Sequence, residues 1–260
     1  IINKTYSNSV HKNDIFVKEI RLARNIQSNL IPTSSPAKYI SSFYRPMEEV
    51  GGDFFDFIIF ENLNKIGIFI SDVSGHGVPA AFITSMIKTT ILQAGEKKND
   101  PAELLYYMND VLHNHTSGNF ITAFYCIYDP TNKTLIYSNA GHPQPFIISD
   151  NEIYQLNKGR NTALAIFSNN ELLQRNKTYK TYEEILSPNS KLLLYTDGMT
   201  EARPINKYNF FEYEIMFDVF RKYYNYDSEL FLKYLYNNLL SFRGDESFDD
   251  DVCMVCLNIE

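Results

Sequence analysis

Four acidic positions stand where apolar runs end: Asp53 in VGGDFFDF, Asp72 in FISDVSGHG, Asp197 in LLLYTDGMTEA, and Asp250 with Asp251 in SFDDDVCMV. Each has a plain local explanation. Asp197 before Gly198 suits a hairpin turn, Asp249 to Asp251 suit a solvated acidic loop, and an aspartate after Gly51 and Gly52 occurs in ordinary turns. Asp72 could cap the following helix, but Val78 and Pro79 place the helix start several residues later, too far for a direct cap. Together the four sites ask for more, because carboxylates at the ends of strands in one sheet protein converge on a common rim. There they repel, and each raises its neighbours' pKa unless cations neutralise them. Hard oxygen ligands without matching His or Cys select Mg or Mn over Zn or Cu. The chemistry expected is a divalent-metal site for more than one ion.

The elements that would position these acids can be read from periodicity. Strands are expected at 38–45, 54–60, 65–71, 120–129, 133–139, 144–149, 190–196 and 252–259, and helices at 78–94, 101–115, 209–224 and 227–241. Strands pair at hairpin spacing, as across DPTNK after Tyr128, rather than alternating strictly with helices. This predicts an α+β protein with antiparallel sheets. Upstream, Phe16, Ile20, Ala23, Ile26 and Leu30 recur at steps of three and four until Pro32, which predicts an amphipathic helix over 13–31 with a narrow apolar stripe. Such a stripe suits a connector that pairs with a twin or docks on the body. Residues 157–180, polar and Asn-rich, read as a long exposed loop or flap.

Composition bounds the rest. The chain has 260 residues, 44% of them hydrophobic, and a net charge of -7, enough apolar material for a sizeable core and too little clustered Lys and Arg for a general nucleic-acid binder. No apolar run approaches the ~20 residues needed to span a bilayer, so no membrane contact is expected within this chain, and IINKTYSNSV lacks a secretory pattern. Three cysteines, Cys126, Cys253 and Cys256, make no disulfide framework and fit a reducing, cytoplasmic compartment. The CMVC spacing superficially suggests zinc, but in a strand its thiols face opposite sides roughly 10 Å apart along it, so core packing is the better reading. A start at Ile1 fits a piece of a longer sensor protein. GGDFF resembles the GGDEF signature of diguanylate cyclases but has Phe54 where the next acid belongs, and His113 to His115 form an HNH triplet without the rest of a nuclease motif.

The motifs VGGDFFDF, SDVSGHGVPAA, FITAFY, NAGHPQP, YTDGMTEA and DDVCM, in that order, resemble the PPM-type metal-dependent serine/threonine phosphatases, in the SpoIIE-like and RsbU-like branch. LARNIQSNLIP is similar to the helix and IQxxLxP element leading into that domain. The resemblance runs from about Ala23 to Glu260. It implies a four-layer α-β-β-α sandwich of two antiparallel sheets flanked by helices, with the metal site at one end between the sheets, and it divides the chain into a connector, residues 1–31, and a phosphatase domain, residues 32–260. Carried over by motif, Asp53 would bind one ion, Asp72 would bridge two, the Val73 carbonyl would be a ligand, and Asp197 and Asp250 would complete the second side, with Asp251 as the fallback for Asp250. These aspartates would act through metal-bound water on phosphoserine or phosphothreonine, with two Mn or Mg ions ~3.5–4 Å apart and no protein nucleophile. The glycines of VGGD and GHG would let the backbone approach the ions.

The sequence departs from the family's pattern in three places. Cys253 stands where threonine is usual, Leu186 to Lys191 lacks the common Gly-Asp, and FFEYEIM lacks a glycine. None removes an implied ligand. His76 and His142 have the chemistry of general acids, but the family often has lysine at the first, and the second sits between strand candidates where it would order its loop; neither is assigned a catalytic role. The substrate class that the resemblance implies is a phosphorylated anti-anti-sigma-factor-like STAS protein in a partner-switching pathway. The alternative is a pseudophosphatase that binds a partner without turnover. Regulation is expected to pass through residues 13–31, by docking on the body or by forming a homodimer, with an influence on how well the metal site is formed.

Overall fold

The computed structural model describes residues 2–60, 63–204, 211, 213–245 and 248–260, with the backbone alone for residues 2–14. Its ten strands form two five-stranded antiparallel sheets. One sheet has the order β2 (Phe54–Phe60), β3 (Lys65–Val73), β4 (Ile121–Asp129), β5 (Thr134–Ala140) and β8 (Tyr182–Ile185). The other has the order β1 (Ile40–Arg45), β10 (Val252–Asn258), β9 (Lys191–Tyr195), β6 (Phe146–Ile148) and β7 (Ile153–Gln155). Helices α2 (Val78–Gln93) and α3 (Pro101–Leu112) cover the first sheet, while α6 (Tyr213–Tyr223) and α7 (Ser228–Arg243) cover the second. This is the four-layer arrangement expected above.

Strand periodicity explains why there are two cores. Along β10, Cys253, Val255 and Leu257 enter the core between the sheets, whereas Val252, Met254 and Cys256 enter the core beneath α6 and α7. Successive side chains of a strand point to opposite faces, so a strand apolar at every position must be covered twice. Cys253 and Cys256 therefore lie in different cores and pack as apolar residues, as their spacing predicted. At the helix ends, Pro101 occupies the first turn of α3 and the Asp100 carboxylate accepts from the backbone N–H of Ala102 and Glu103 at 2.8 and 3.0 Å.

Two expectations need correction. Residues 157–180 are no exposed flap: Leu164 bridges Ile121 of β4, Ser168 and Glu171 form a capping box on α4 (Asn169–Gln174), and Ala163, Leu164, Leu172 and Tyr179 are buried. Sparse apolar residues among asparagines were enough to pin the segment down. The first helix, α1 (Ile2–Ser28), starts far upstream of residue 13 and ends before Leu30, because the polar N-terminal stretch carries no apolar repeat to betray it. Strands β7 and β8 were also missed, being short, with Glu183 and Glu184 in the second. Of the helix expected at 209–224, residues 209, 210 and 212 lie outside the described residues, as does most of the segment before it.

Candidate metal centre

The acids meet at one rim, and strand register is the cause. Phe54 pairs with Ser71 across β2 and β3, and the Val73 N–H donates to the Gly52 carbonyl at 3.3 Å, so Asp53 and Asp72 stand opposite one another where the ladder runs out. In the other sheet Tyr195 pairs with Met254, and Thr196 and Cys253 continue the ladder through a Thr196 N–H to Cys253 carbonyl bond of 3.0 Å. Asp197 thus follows the end of β9 just where Asp250 and Asp251 precede β10. A hydrogen bond from the Thr196 hydroxyl to Asp53 Oδ2, 2.6 Å, ties the two sheets together at this edge.

Asp251 has a different task from its neighbours. Its Oδ1 accepts from the Met47 N–H at 2.7 Å, and its Oδ2 accepts from Gly52 and Asp53 N–H at 2.6 and 3.2 Å. A carboxylate so committed is an anchor for the loop before β2. Among the described residues the Asp250 carboxylate accepts from the Asp251 N–H at 2.8 Å, which leaves it less committed than Asp251. Space at the rim is tight: a Cβ on Gly198 would lie 1.8 Å from the Asp251 carbonyl oxygen, and one on Gly52 would lie 2.8 Å from the Val73 carbonyl oxygen. Gly75 and Gly77 hold φ of 97° and 73° and turn the chain from β3 into α2, with Gly77 as N-cap and no side-chain cap. Asp72 is not a helix cap.

Burial first, and mutual repulsion after it, raise the pKa of Asp53, Asp72, Asp197 and Asp250. Asp53 is 1% exposed; burial, then Asp72 and Asp251, hold its pKa well above the carboxylate range despite the Thr196 hydrogen bond. Asp72 is pushed up to about 8 by burial, then by Asp197, Asp250 and Asp251. Asp197 is raised to about 6 by burial, Asp250 and Glu201. Asp250 is raised too, chiefly by burial. After burial, then, the strongest influences on Asp53, Asp72 and Asp197 are other carboxylates.

The donor set fits a hard divalent cation: carboxylate oxygens, a carbonyl in close quarters, and negative charge in excess. Among the described residues no three His, Cys, Asp or Glu side chains are grouped so that they could hold an ion as placed. The rim is a concentration of negative charge.

The two histidines singled out from the motifs sit in different surroundings. His142 is fully buried, its Nδ1 is 2.8 Å from the Thr122 hydroxyl, and its backbone N–H donates to the Asn139 side chain at 2.8 Å. Burial lowers its pKa to about 3, so it stays neutral and orders its loop. His76 is exposed beside Glu48 at 3.2 Å. Cys253 is buried and uses its backbone N–H and carbonyl on Thr196 while its thiol fills the inter-sheet core, so the unusual side chain leaves the rim intact. Thr196, the anchoring role of Asp251, and Glu201 near Asp72 and Asp197 were not singled out from sequence; the YTDGMTEA and DDVCM motifs contained them, but only the paired ends of β9 and β10 give them tasks.

The model of the Stage II sporulation protein E (SpoIIE) family matches residues 63–260. The chain belongs to the SpoIIE family. It is a phosphatase of the PPM type. The SpoIIE-family chain is 29% identical over 243 residues to the phosphoserine phosphatase RsbU of Bacillus subtilis (strain 168), covering 91% of this chain and 69% of that one. It is 26% identical over 191 residues to the phosphoserine phosphatase RsbP of the same organism, covering 71% of this chain and 45% of the relative. Its fold is similar to that of the SiaA PP2C domain of Pseudomonas aeruginosa, with a TM-score of 0.82, 21% identity and coverage of 96% and 99%. It is also similar to RsbX in complex with magnesium, with a TM-score of 0.60, 16% identity and coverage of 85% and 96%. Among the described residues no helix of the SpoIIE-family chain is long and apolar enough to cross a membrane.

Proposed function

We propose that this chain hydrolyses phosphoserine or phosphothreonine on a protein, using two divalent cations, Mn or Mg, held by Asp53, Asp72, the Val73 carbonyl, Asp197 and Asp250. The observation that carries the reading is the gathering of Asp53, Asp72, Asp197 and Asp250 at one rim, each shifted upward by burial and by other acids. Bound there, the cations would supply an activated water and charge to offset the phosphate oxygens. The protein's own part is positional. Thr196 fixes one oxygen of Asp53, Asp251 fixes the loop that carries it, and the glycines keep Cβ atoms out of the space between the strand ends. The two named phosphoserine phosphatases among the relatives and the magnesium complex of RsbX support the reading.

The substrate is proposed to be a phosphorylated STAS-like anti-anti-sigma factor, as suits a relative of RsbU. Residues 1–31 are proposed as a connector to residues 32–260; exposed Ile15, Leu22 and Ile26 on the outer side of α1 support pairing with a second copy. Hydrolysis of an aryl phosphate and of phosphorylated STAS proteins is to be measured with millimolar manganese, comparing wild type with Asp197→Asn. Manganese-dependent turnover that Asp197→Asn abolishes is the expected result. A folded wild type that hydrolyses neither substrate while binding a partner tightly would establish the pseudophosphatase instead.

A further inference from the structure

One contact joins the connector helix to the acid rim directly. Gln27, near the end of α1, is 5% exposed, and its amide Nε2 donates to the Gly51 carbonyl at 2.7 Å while its Oε1 accepts from the Gly51 N–H at 3.1 Å. Both polar groups of one backbone residue are thus held by one side chain. The same Nε2 donates to the Thr84 hydroxyl of α2 at 3.1 Å, and that hydroxyl passes its own hydrogen to the Ala81 carbonyl at 2.8 Å. Each polar atom of the amide is therefore used, and the direction of every bond is fixed by the chemistry of N–H donors and carbonyl acceptors.

Gly51 lies two residues before Asp53, and from the opposite side Asp251 holds Gly52 and Asp53 by their N–H groups. The segment is gripped between α1 and the start of β10 with no slack: a Cβ on Gly51 would fall 2.3 Å from Asp251 Oδ2 and 2.7 Å from the Tyr44 hydroxyl. We propose that Gln27 is a positioning residue which, through Gly51, sets the place of Asp53 and so makes metal affinity depend on whether α1 is docked. The inference rests on the metal-site reading above. It separates two functions of α1: the helix lies against α2, and one buried amide transmits that docking to the rim. Arg24 also joins α1 to this loop, through Glu49 at 2.8 Å, but both side chains of that pair are about half exposed, and such pairs contribute little.

Manganese binding to the full chain by titration calorimetry, and amide hydrogen exchange at residues 51–53 without metal, test the idea. Gln27→Leu removes the amide. Gln27→Glu keeps its shape but turns an oxygen toward the Gly51 carbonyl and is the second variant should the first fold poorly. Either is expected to weaken manganese binding about tenfold, the scale of losing a residue that orients a metal ligand, and to speed exchange at 51–53, with KM for an aryl phosphate unchanged. Arg24→Ala is expected to stay within about twofold of wild type. Equal manganese affinity in wild type and Gln27→Leu would overturn the proposal, even with a lowered melting temperature, since that is the mark of a merely structural contact. So would a loss in Arg24→Ala as large as in Gln27→Leu, which would assign the effect to helix docking at large. Wild type that binds no manganese would instead remove the functional reading itself, and the proposal with it.

Discussion

Asp53 and Asp56 lie three residues apart at the start of the same strand, and both are buried, at 1% and 4% exposure. Asp56 meets a cation of the protein's own: Lys88 of α2 stands 2.7 Å from its Oδ2, and the Phe57 N–H donates to its Oδ1. Burial raises its pKa and Lys88 pulls it back. Asp53 has the Thr196 hydroxyl on one oxygen, gives its own N–H to Asp251, and has three further acids as its electrostatic company. A buried charge must be compensated. Where the chain supplies the compensation, the acid holds two layers together; where it withholds it, the proposed metal site would draw the compensation from solution.

Four experiments would break or sharpen that contrast. The largest effect is expected from Asp53→Asn, with manganese-dependent turnover falling about 1000-fold, ~4 kcal/mol of transition-state stabilisation, while denaturant melts without metal show no loss of stability. Lys88→Met should do the reverse: leaving Asp56 uncompensated costs about 3 kcal/mol in urea unfolding, with turnover per folded molecule within about twofold. If Lys88→Met abolished turnover in folded protein, the division between the two acids would collapse.

The third experiment is a pH series. Because Asp53, Asp72 and Asp197 have raised pKa values, the metal-free folded state holds more protons than the unfolded chain between about pH 4 and about pH 8. Stability is then fully present below that window and falls as pH rises through it. Thermal melts of the metal-free protein should show a lower midpoint at pH 8 than at pH 5, with Asp72→Asn flattening the slope. Manganese at a hundred times its Kd should return about 2.7 kcal/mol at pH 8 and nothing comparable to Asp53→Asn. The smallest effect is reserved for His76→Ala, an exposed side chain beside Glu48, for which the rate should stay within about twofold; a loss of 100-fold would give that histidine a part in proton transfer.

How much of this could be read from the chain differs by element. Strands β2 and β3 were legible because Phe54 to Phe60 and Ile66 to Phe69 are apolar almost throughout, and their ends placed Asp53 and Asp72 without any tertiary information. The assignment of Asp250 ahead of Asp251 came from motif position and finds support in the bonds that occupy Asp251. Short edge strands were illegible, since Tyr182 to Ile185 carries two acids and draws its identity from pairing with β5. Gln27 was visible within IQ but mute: an amide on a helix shows its purpose only once Gly51, 24 residues later, is brought against it. Local patterns report local causes, and the clamps of this rim join residues as far apart as Gly52 and Asp251.

The position of β10 has a consequence for how the molecule is made. It lies between β1 and β9, pairing Ile40 with Leu257 and Met254 with Tyr195. A ribosome adding 5–20 residues each second needs on the order of 10–40 s to travel from β1 to β10, and throughout that interval β1 lacks the strand that pairs with it. The two halves of that sheet, both cores and the acid rim all await the same seven residues. A nascent chain stalled short of them would carry the other described strands and helices and all the rim's acids, yet lack the strand that sets β1 beside β9.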